Sequence, residues 1–210
     1  CGQTVGEGII VDVSKNLNSL VSVDPEKKLA TVEPGIVLDH LNGMLKQHGL
    51  FFPVDVSTSS RATIGGMTAN NSCGARSIRY GKMVDSVCEV DAVLADGSSM
   101  RFGIWDEETA SAVQQQQKQL VSQLIDLGER EREEVTKRFP RVQRRVGGYN
   151  LDVLSAEPGS SLNLAHLLVG SEGTLAVSSK ITLNLQPIPE HKVLGVCHFP
   201  TFFQAMETTQ

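Results

Sequence analysis

Residues 57–75, "STSSRATIGGMTANNSCGA", concentrate the groups in this chain best suited to holding a ligand. Apart from Arg61, Ile64 and Met67, every position in the run is Gly, Ala, Ser, Thr, Asn or Cys. Such residues bury little apolar surface, but they let backbone N–H and C=O groups approach a partner closely. The chemistry they suggest is recognition of a large planar or phosphorylated molecule. Ile64 and Met67 punctuate the tract, and the side-chain amides of Asn70 and Asn71 are better hydrogen-bonding tools than linker filler, which argues against a flexible loop. A second stretch, "LLVGSEGTLAV" (167–177), is an apolar run, a Gly-x-x-Gly turn and a following strand. On local pattern alone it reads as an ordinary hairpin turn.

Other chemistries fit less well. "GEGIIV" (6–11) has Val11 where a dinucleotide fingerprint needs its third glycine, and it precedes a strand rather than a helix. "GARSIRYGKM" departs from a P-loop, because six residues separate Gly74 from Gly81 and Met83 replaces the Ser or Thr that would hold magnesium. Around Ser171 the order Gly170-Ser171-Glu172-Gly173 is not a nucleophile elbow. His191 and His198 fall an odd number of residues apart on an expected strand and so point to opposite faces; no metal ligand is assigned. Cys1, Cys73, Cys88 and Cys197 form no C-x-x-C pair and read as free thiols. Arg138, Arg141, Arg144 and Arg145 read as a solvated basic patch, with an anionic substrate or cofactor as the alternative.

The elements that must position these groups are mixed. The 210 residues suffice for one domain with a real core or two small ones, with 40% hydrophobic and 20% charged content. A net charge of −5 gives no reason to expect nucleic acid, and no apolar run approaches the roughly 18 residues of a membrane span. "GIIVDVS" (8–14), "SLVSVD" (19–24) and "KLATVEPG" (28–35) read as strands, with a hairpin through "PEKK". "VLDHLNGMLKQHG" turns helical, uncapped by Ser, Thr or Asp at its start and closed by Gly49. Residues 86–102 read as two strands around Ala95-Asp96-Gly97. Residues 106–138 read as helical, with a buried stripe of Val113, Leu120, Leu124 and Leu127. Residues 174–190 read as a long half-buried strand, "KVLGVCHFP" as one more, and Thr201 as the cap of a final helix. The fold class expected is α+β, a mainly antiparallel sheet flanked by helices.

In order, the segments "GQTVGEGIIVDVSKNLNSL", "ATVEPGIVLDHLN", "FFPVDVSTSSRATIGGMTANNSCGARSIRYGKMVDSV", "VLADGS", "GGYNL" and "LLVGSEGTLAVSSKITLNLQPIP" resemble a known domain. It is the FAD-binding domain of the vanillyl-alcohol oxidase and p-cresol methylhydroxylase flavoproteins. The branch most resembled contains D-lactate dehydrogenase, D-2-hydroxyglutarate dehydrogenase and the flavin-binding polypeptide of glycolate oxidase. The resemblance implies that Gly2, Gln3 and Thr4 end a glycine-rich loop around the FAD pyrophosphate, and that Pro53 and Asp55 line the cofactor. It places Thr63, Ile64, Gly65, Gly66, Asn70, Ser72 and Gly74 along ribityl and pyrophosphate, with Tyr80 and Gly81 closing the tract. Glu172, Gly173 and Val177 fall beside the adenosine end. The family's "GTLGI" here reads Gly173-Thr174-Leu175-Ala176-Val177, a mild departure that leaves the turn intact.

The resemblance further implies that residues 1–190 are the C-terminal portion of the FAD-binding domain, lacking its N-terminal part. A helical insertion falls at about 104–145, and residues 191–210 begin a truncated cap (substrate) domain. Non-covalent FAD is the expected cofactor, since no attachment histidine is recognised; the insertion resembles larger members with an iron–sulfur cluster, which would lie in a part of the parent protein outside this chain. The implied function is oxidation of a D-2-hydroxy acid (D-lactate, glycolate or D-2-hydroxyglutarate class) by hydride transfer to flavin N5, with electrons passed to a respiratory-chain acceptor. Substrate and metal residues would lie in the cap, so no catalytic residue is assigned here, and the segment alone is expected to be inactive. The alternatives are an alcohol or sugar oxidase of the same superfamily and a non-catalytic nucleotide-binding module. The expected location is cytoplasmic, with peripheral attachment at the inner face of the membrane as the alternative.

Overall fold

The computed structural model describes residues 11–155 and 162–209. A hairpin comes first, β1 (Leu20–Asp24) and β2 (Leu29–Val32), turned through Pro25 to Lys28. Helix α1 (Leu38–Leu45) buries Leu38, Leu41 and Leu45, starts without a side-chain cap, tightens through a 3₁₀ turn at Lys46–His48 and ends at Gly49, whose φ of +69° suits glycine. After the short β3 (Leu50–Phe51), the small-residue tract folds into α2 (Ile64–Ala69), followed by the single turns α3 (Ser77–Tyr80) and α4 (Met83–Ser86). The second hairpin is β4 (Val87–Val93) and β5 (Ser99–Phe102), with Gly97 at φ +82° in the turn.

The helical stretch is two helices, α5 (Glu107–Ala112) and α6 (Gln115–Arg138), preceded by β6 (Ile104–Trp105). A 3₁₀ segment at Leu151–Ser155, then β7 (Leu162–Asn163), α7 (Ala165–Leu168), β8 (Val177–Asn184), β9 (Gln186–Pro187) and α8 (Phe202–Thr208) complete the chain. The main sheet is antiparallel, in the order β1-β2-β8-β4-β5, with two small ladders, β3-β9 and β6-β7. The α+β class with a mainly antiparallel sheet is therefore observed. Its core joins Val32, Ile181 and Leu183 of the sheet to Leu41, Leu45, Phe52 and Ile64, each almost fully buried.

Several elements differ from the sequence reading. Residues 11–14 form no strand, the chain turning at 13–16, and residues 8–10 lie outside the described part. The α6 stripe is rotated by one position: Val121, Gly128 and Val135 are buried, whereas Leu120, Leu124 and Leu127 are only partly so. Gly128 explains the rotation, because a Cβ there would overlap the Leu154 carbonyl, so the helix seats its bare backbone on the 151–155 segment. "LLVGSEG" is not half of a hairpin: its apolar run is the helical turn α7, which buries Leu167 and Leu168. "KVLGVCHFP" forms no strand, and Val193 and Leu194 are exposed. The long C-terminal strand breaks after Asn184, so that β9 can leave the main sheet and pair with β3. Thr201 does cap α8, its Oγ1 accepting from Gln204 N–H.

Candidate functional site

The two large apolar residues of the small-residue tract go inward: Ile64 and Met67 are 0% and 2% exposed. Their burial pins α2 to the core and leaves the small residues as one wall of an open cleft of about 860 Å³, within the range of small-molecule and cofactor sites. Thr63 caps α2, its Oγ1 accepting from Gly66 N–H at 3.2 Å. Across the mouth runs the 55–58 loop, and Asp55 Oδ1 accepts from Arg76 N–H at 3.0 Å.

Two tract glycines are required by the protein's own packing. A Cβ on Gly65 would come within 2.5 Å of Pro34 Cβ, and one on Gly74 would overlap the Asp55 carbonyl oxygen. Gly66 is different, since only Thr63 Oγ1 lies near its missing Cβ and the residue faces the cleft.

The "GSEG" turn joins the same wall from the far side. Gly170 N–H donates to Thr68 O at 2.9 Å and Glu172 N–H to Ala69 O at 3.0 Å, so the turn closes on the C-terminal end of α2. Gly170, Glu172 and Gly173 all have positive φ, which makes this a wound turn rather than a simple reversal. Asn150 of "GGYN" supports it, donating Nδ2 to Val169 O at 2.8 Å, and the Tyr149 hydroxyl lies 2.8 Å from Thr174 Oγ1. Two motifs about a hundred residues apart in sequence thus form one structural unit.

Of the residues singled out in the sequence, Asp55, Thr63, Gly66, Asn70, Ser72 and Gly74 line this cleft. Pro53 and Ile64 are buried behind it. Glu172 and Gly173 form the docked turn, and Val177 begins β8 with its side chain half exposed. Tyr80 stands elsewhere: its ring meets Phe51 edge-on at 5.8 Å in a separate pocket of about 450 Å³, while Gly81 packs against Asp85. Gly2, Gln3 and Thr4 lie outside the described residues. The sequence reading missed Val56 and Val146; Ser57 and Thr58 stood in the small-residue tract without individual roles, and Arg144 was read first as solvated, with the cofactor as its alternative partner.

Asn71, named with Asn70 in the sequence, is the most informative lining residue. It is 1% exposed, and its Oδ1 accepts from Val84 N–H at 3.1 Å. Its Nδ2 is buried without a hydrogen-bond partner in the wall of the cleft. A buried amide donor left unpaired costs on the order of 1–3 kcal/mol, so it calls for an acceptor. Small-residue backbone, an unpaired amide and a guanidinium at one cleft are the donor set that a dinucleotide's diphosphate and hydroxyl oxygens require, and the residues present fit FAD. The described residues include no group of three or more His, Cys, Asp or Glu placed to hold a metal ion. Cys88 and His166 lie in a different groove under β4, where burial pushes the thiol's pKa up and the imidazole's down; both changes favour the neutral forms.

Comparison with known proteins finds likenesses to flavin-binding proteins. Residues 1–103 match the family described as FAD binding domain. The chain is 35% identical over 208 residues to D-2-hydroxyglutarate dehydrogenase of Pseudomonas putida, covering 98% of this chain and 21% of the relative. It is 32% identical to the mitochondrial D-lactate dehydrogenase [cytochrome] of Arabidopsis thaliana, covering 95% of this chain and 26% of the relative. Among solved structures, alkyldihydroxyacetonephosphate synthase superposes with a TM-score of 0.58 at 19% identity, over 93% of this chain and 26% of that one, a likeness of fold. The chain thus spans about a fifth to a quarter of the length of these curated relatives.

Proposed function

We propose that the chain, whose residues 1–103 match the FAD binding domain family, is the cofactor-holding part of a flavin-dependent dehydrogenase acting on a D-2-hydroxy acid. The observation that carries this reading is the convergence of α2 and the 170–173 turn on one cleft whose wall holds an unpaired buried amide. Bound there, FAD would supply a hydride acceptor at its N5. The chain's own work is positional: backbone groups of residues 57–75 and the Asn71 amide hold the ligand's oxygens, and the core behind Ile64 and Met67 keeps that wall rigid. Residues 191–210 begin the cap, and the base that accepts the substrate hydroxyl proton lies outside this chain.

The substrate class follows the printed names of the relatives, D-2-hydroxyglutarate and D-lactate dehydrogenases. Transfer of electrons to a respiratory acceptor is supported by the word "cytochrome" in the Arabidopsis relative's name. No helix among the described residues is long and apolar enough to cross a membrane. That leaves room for a cytoplasmic enzyme held peripherally at the membrane's inner face.

The test is FAD uptake by the full-length protein, then anaerobic addition of D-lactate, glycolate or D-2-hydroxyglutarate. Yellow protein that bleaches with one of them is the expected result. Yellow protein that bleaches with none removes the substrate class, and protein that takes up no FAD removes the whole reading.

A further inference from the structure

We propose that Arg144, delivered by the segment that follows α6, binds the diphosphate of the dinucleotide in the cleft. The inference rests on the FAD reading above and adds a residue from the helical insertion to that site. Charge balance at the cleft requires such a group. Asp55 and Arg144 are the two charged side chains among the cleft-lining residues described. With Asp55 alone, a diphosphate would enter beside a like charge; Arg144 reverses that balance.

Arg144 is also free to act. Arg138 pairs with Glu134, and Arg145 with Asp152 at 2.5 Å. Arg144 makes no ion pair among the described residues; its Nε donates to Cys73 Sγ at 3.3 Å. Thiol sulfur is a weak acceptor, so the guanidinium retains its stronger donors for a ligand. A planar fork of N–H groups matches phosphate oxygens bidentately and brings a positive charge, which neutral backbone N–H groups lack.

The residues on both sides of Arg144 are tied down, so its position is fixed. Gln143 O accepts from Lys82 Nζ at 3.0 Å, and the Arg145 guanidinium lies 4.7 Å from the centre of the Phe139 ring. Upstream, α6 is held where Gly128 meets Leu154 and Ser155 Oγ donates to Gly128 O at 2.8 Å. The long helix thus anchors the segment at one end, and the Arg145–Asp152 pair anchors it at the other. Cys73, against which Arg144 rests, belongs to the small-residue tract itself.

The experiment compares wild-type, R144Q, R144K and R141Q full-length proteins after removal of flavin. Dissociation constants are measured for FAD, ADP and riboflavin, together with thermal unfolding midpoints. R144Q should weaken FAD and ADP alike, by roughly tenfold to a hundredfold, the effect of one charge-assisted contact. It should leave riboflavin and the midpoint unchanged, and R144K should fall between R144Q and wild type. R141Q, on the same segment but outside the cleft, should match wild type. R144Q that binds FAD and ADP as tightly as wild type overturns the proposal. An equal loss for riboflavin would mark a structural role and overturns it as well. Wild-type protein that binds no FAD would instead defeat the cofactor reading, and this inference with it.

Discussion

Asn71 shows how a single side chain serves both the fold and the site. Its φ of +46° lies in the left-handed region, which costs most residues with a Cβ about 1–2 kcal/mol and which asparagine tolerates better. Its Oδ1 accepts the Val84 N–H at the start of α4, which would otherwise go unpaired. Asn71→Ala removes the acceptor and keeps the strained backbone, so it should cost about 2 kcal/mol in urea unfolding. Asn71→Gly also loses the acceptor but relaxes the backbone, and should be more stable than the alanine variant by about 1 kcal/mol. An alanine variant at least as stable as the glycine one would show that backbone strain at this position is not the controlling factor. The sequence marked Asn71 as a hydrogen-bonding residue but could not show the direction of its amide. Nor could it separate Gly65 and Gly74, which meet Pro34 and Asp55, from Gly66, whose missing Cβ has only the Thr63 hydroxyl nearby. All three look alike in the string, and only the backbone neighbours distinguish them.

Among the secondary-structure elements, the α6 contact with the 151–155 segment tests which of two effects wins. Gly128→Ala should favour the helix by up to about 1 kcal/mol through backbone entropy. The new Cβ, however, would overlap the Leu154 carbonyl, and that backbone atom cannot rotate away. Overpacking of this kind costs about 1–3 kcal/mol, so the alanine variant should melt lower despite its better helix propensity. A higher midpoint would mean that α6 shifts freely and is no firm anchor for the segment after it. This contact was hidden because periodicity counts large apolar residues, and here a glycine is the contact point. Both hairpins, the Gly49 stop and the Thr201 cap were legible because local backbone chemistry determines them. "KVLGVCHFP" misled because β-propensity describes a side chain's fitness for a sheet and does not supply the neighbouring strand.

Across the full fold, the main sheet is assembled from distant pieces. Strand β8 lies between β2 and β4, and Thr31 Oγ1 meets Thr182 Oγ1 at 3.2 Å across 151 residues of sequence. No local signal encodes that order; the alternating Ile181, Leu183 and Leu185 showed only that one face of a strand would be buried. The same topology predicts where the folded unit stops. Among the described residues, the chain beyond β9 contributes no strand to any ladder, α8 has no buried residue, and Val193, Leu194, Phe202 and Phe203 are between 70% and 96% exposed. An apolar surface of that kind suits contact with other protein rather than water. Within the 210-residue chain, ending at Glu190 should therefore move the thermal midpoint by less than about 3 °C, the shift that about 1 kcal/mol produces at this size. The same truncation should lower binding of a hydrophobic dye, because it removes exposed aromatic surface and leaves the sheet core intact. A much larger fall in the midpoint would place residues 191–209 among the supports of the main sheet, and the folded unit would then extend beyond Glu190.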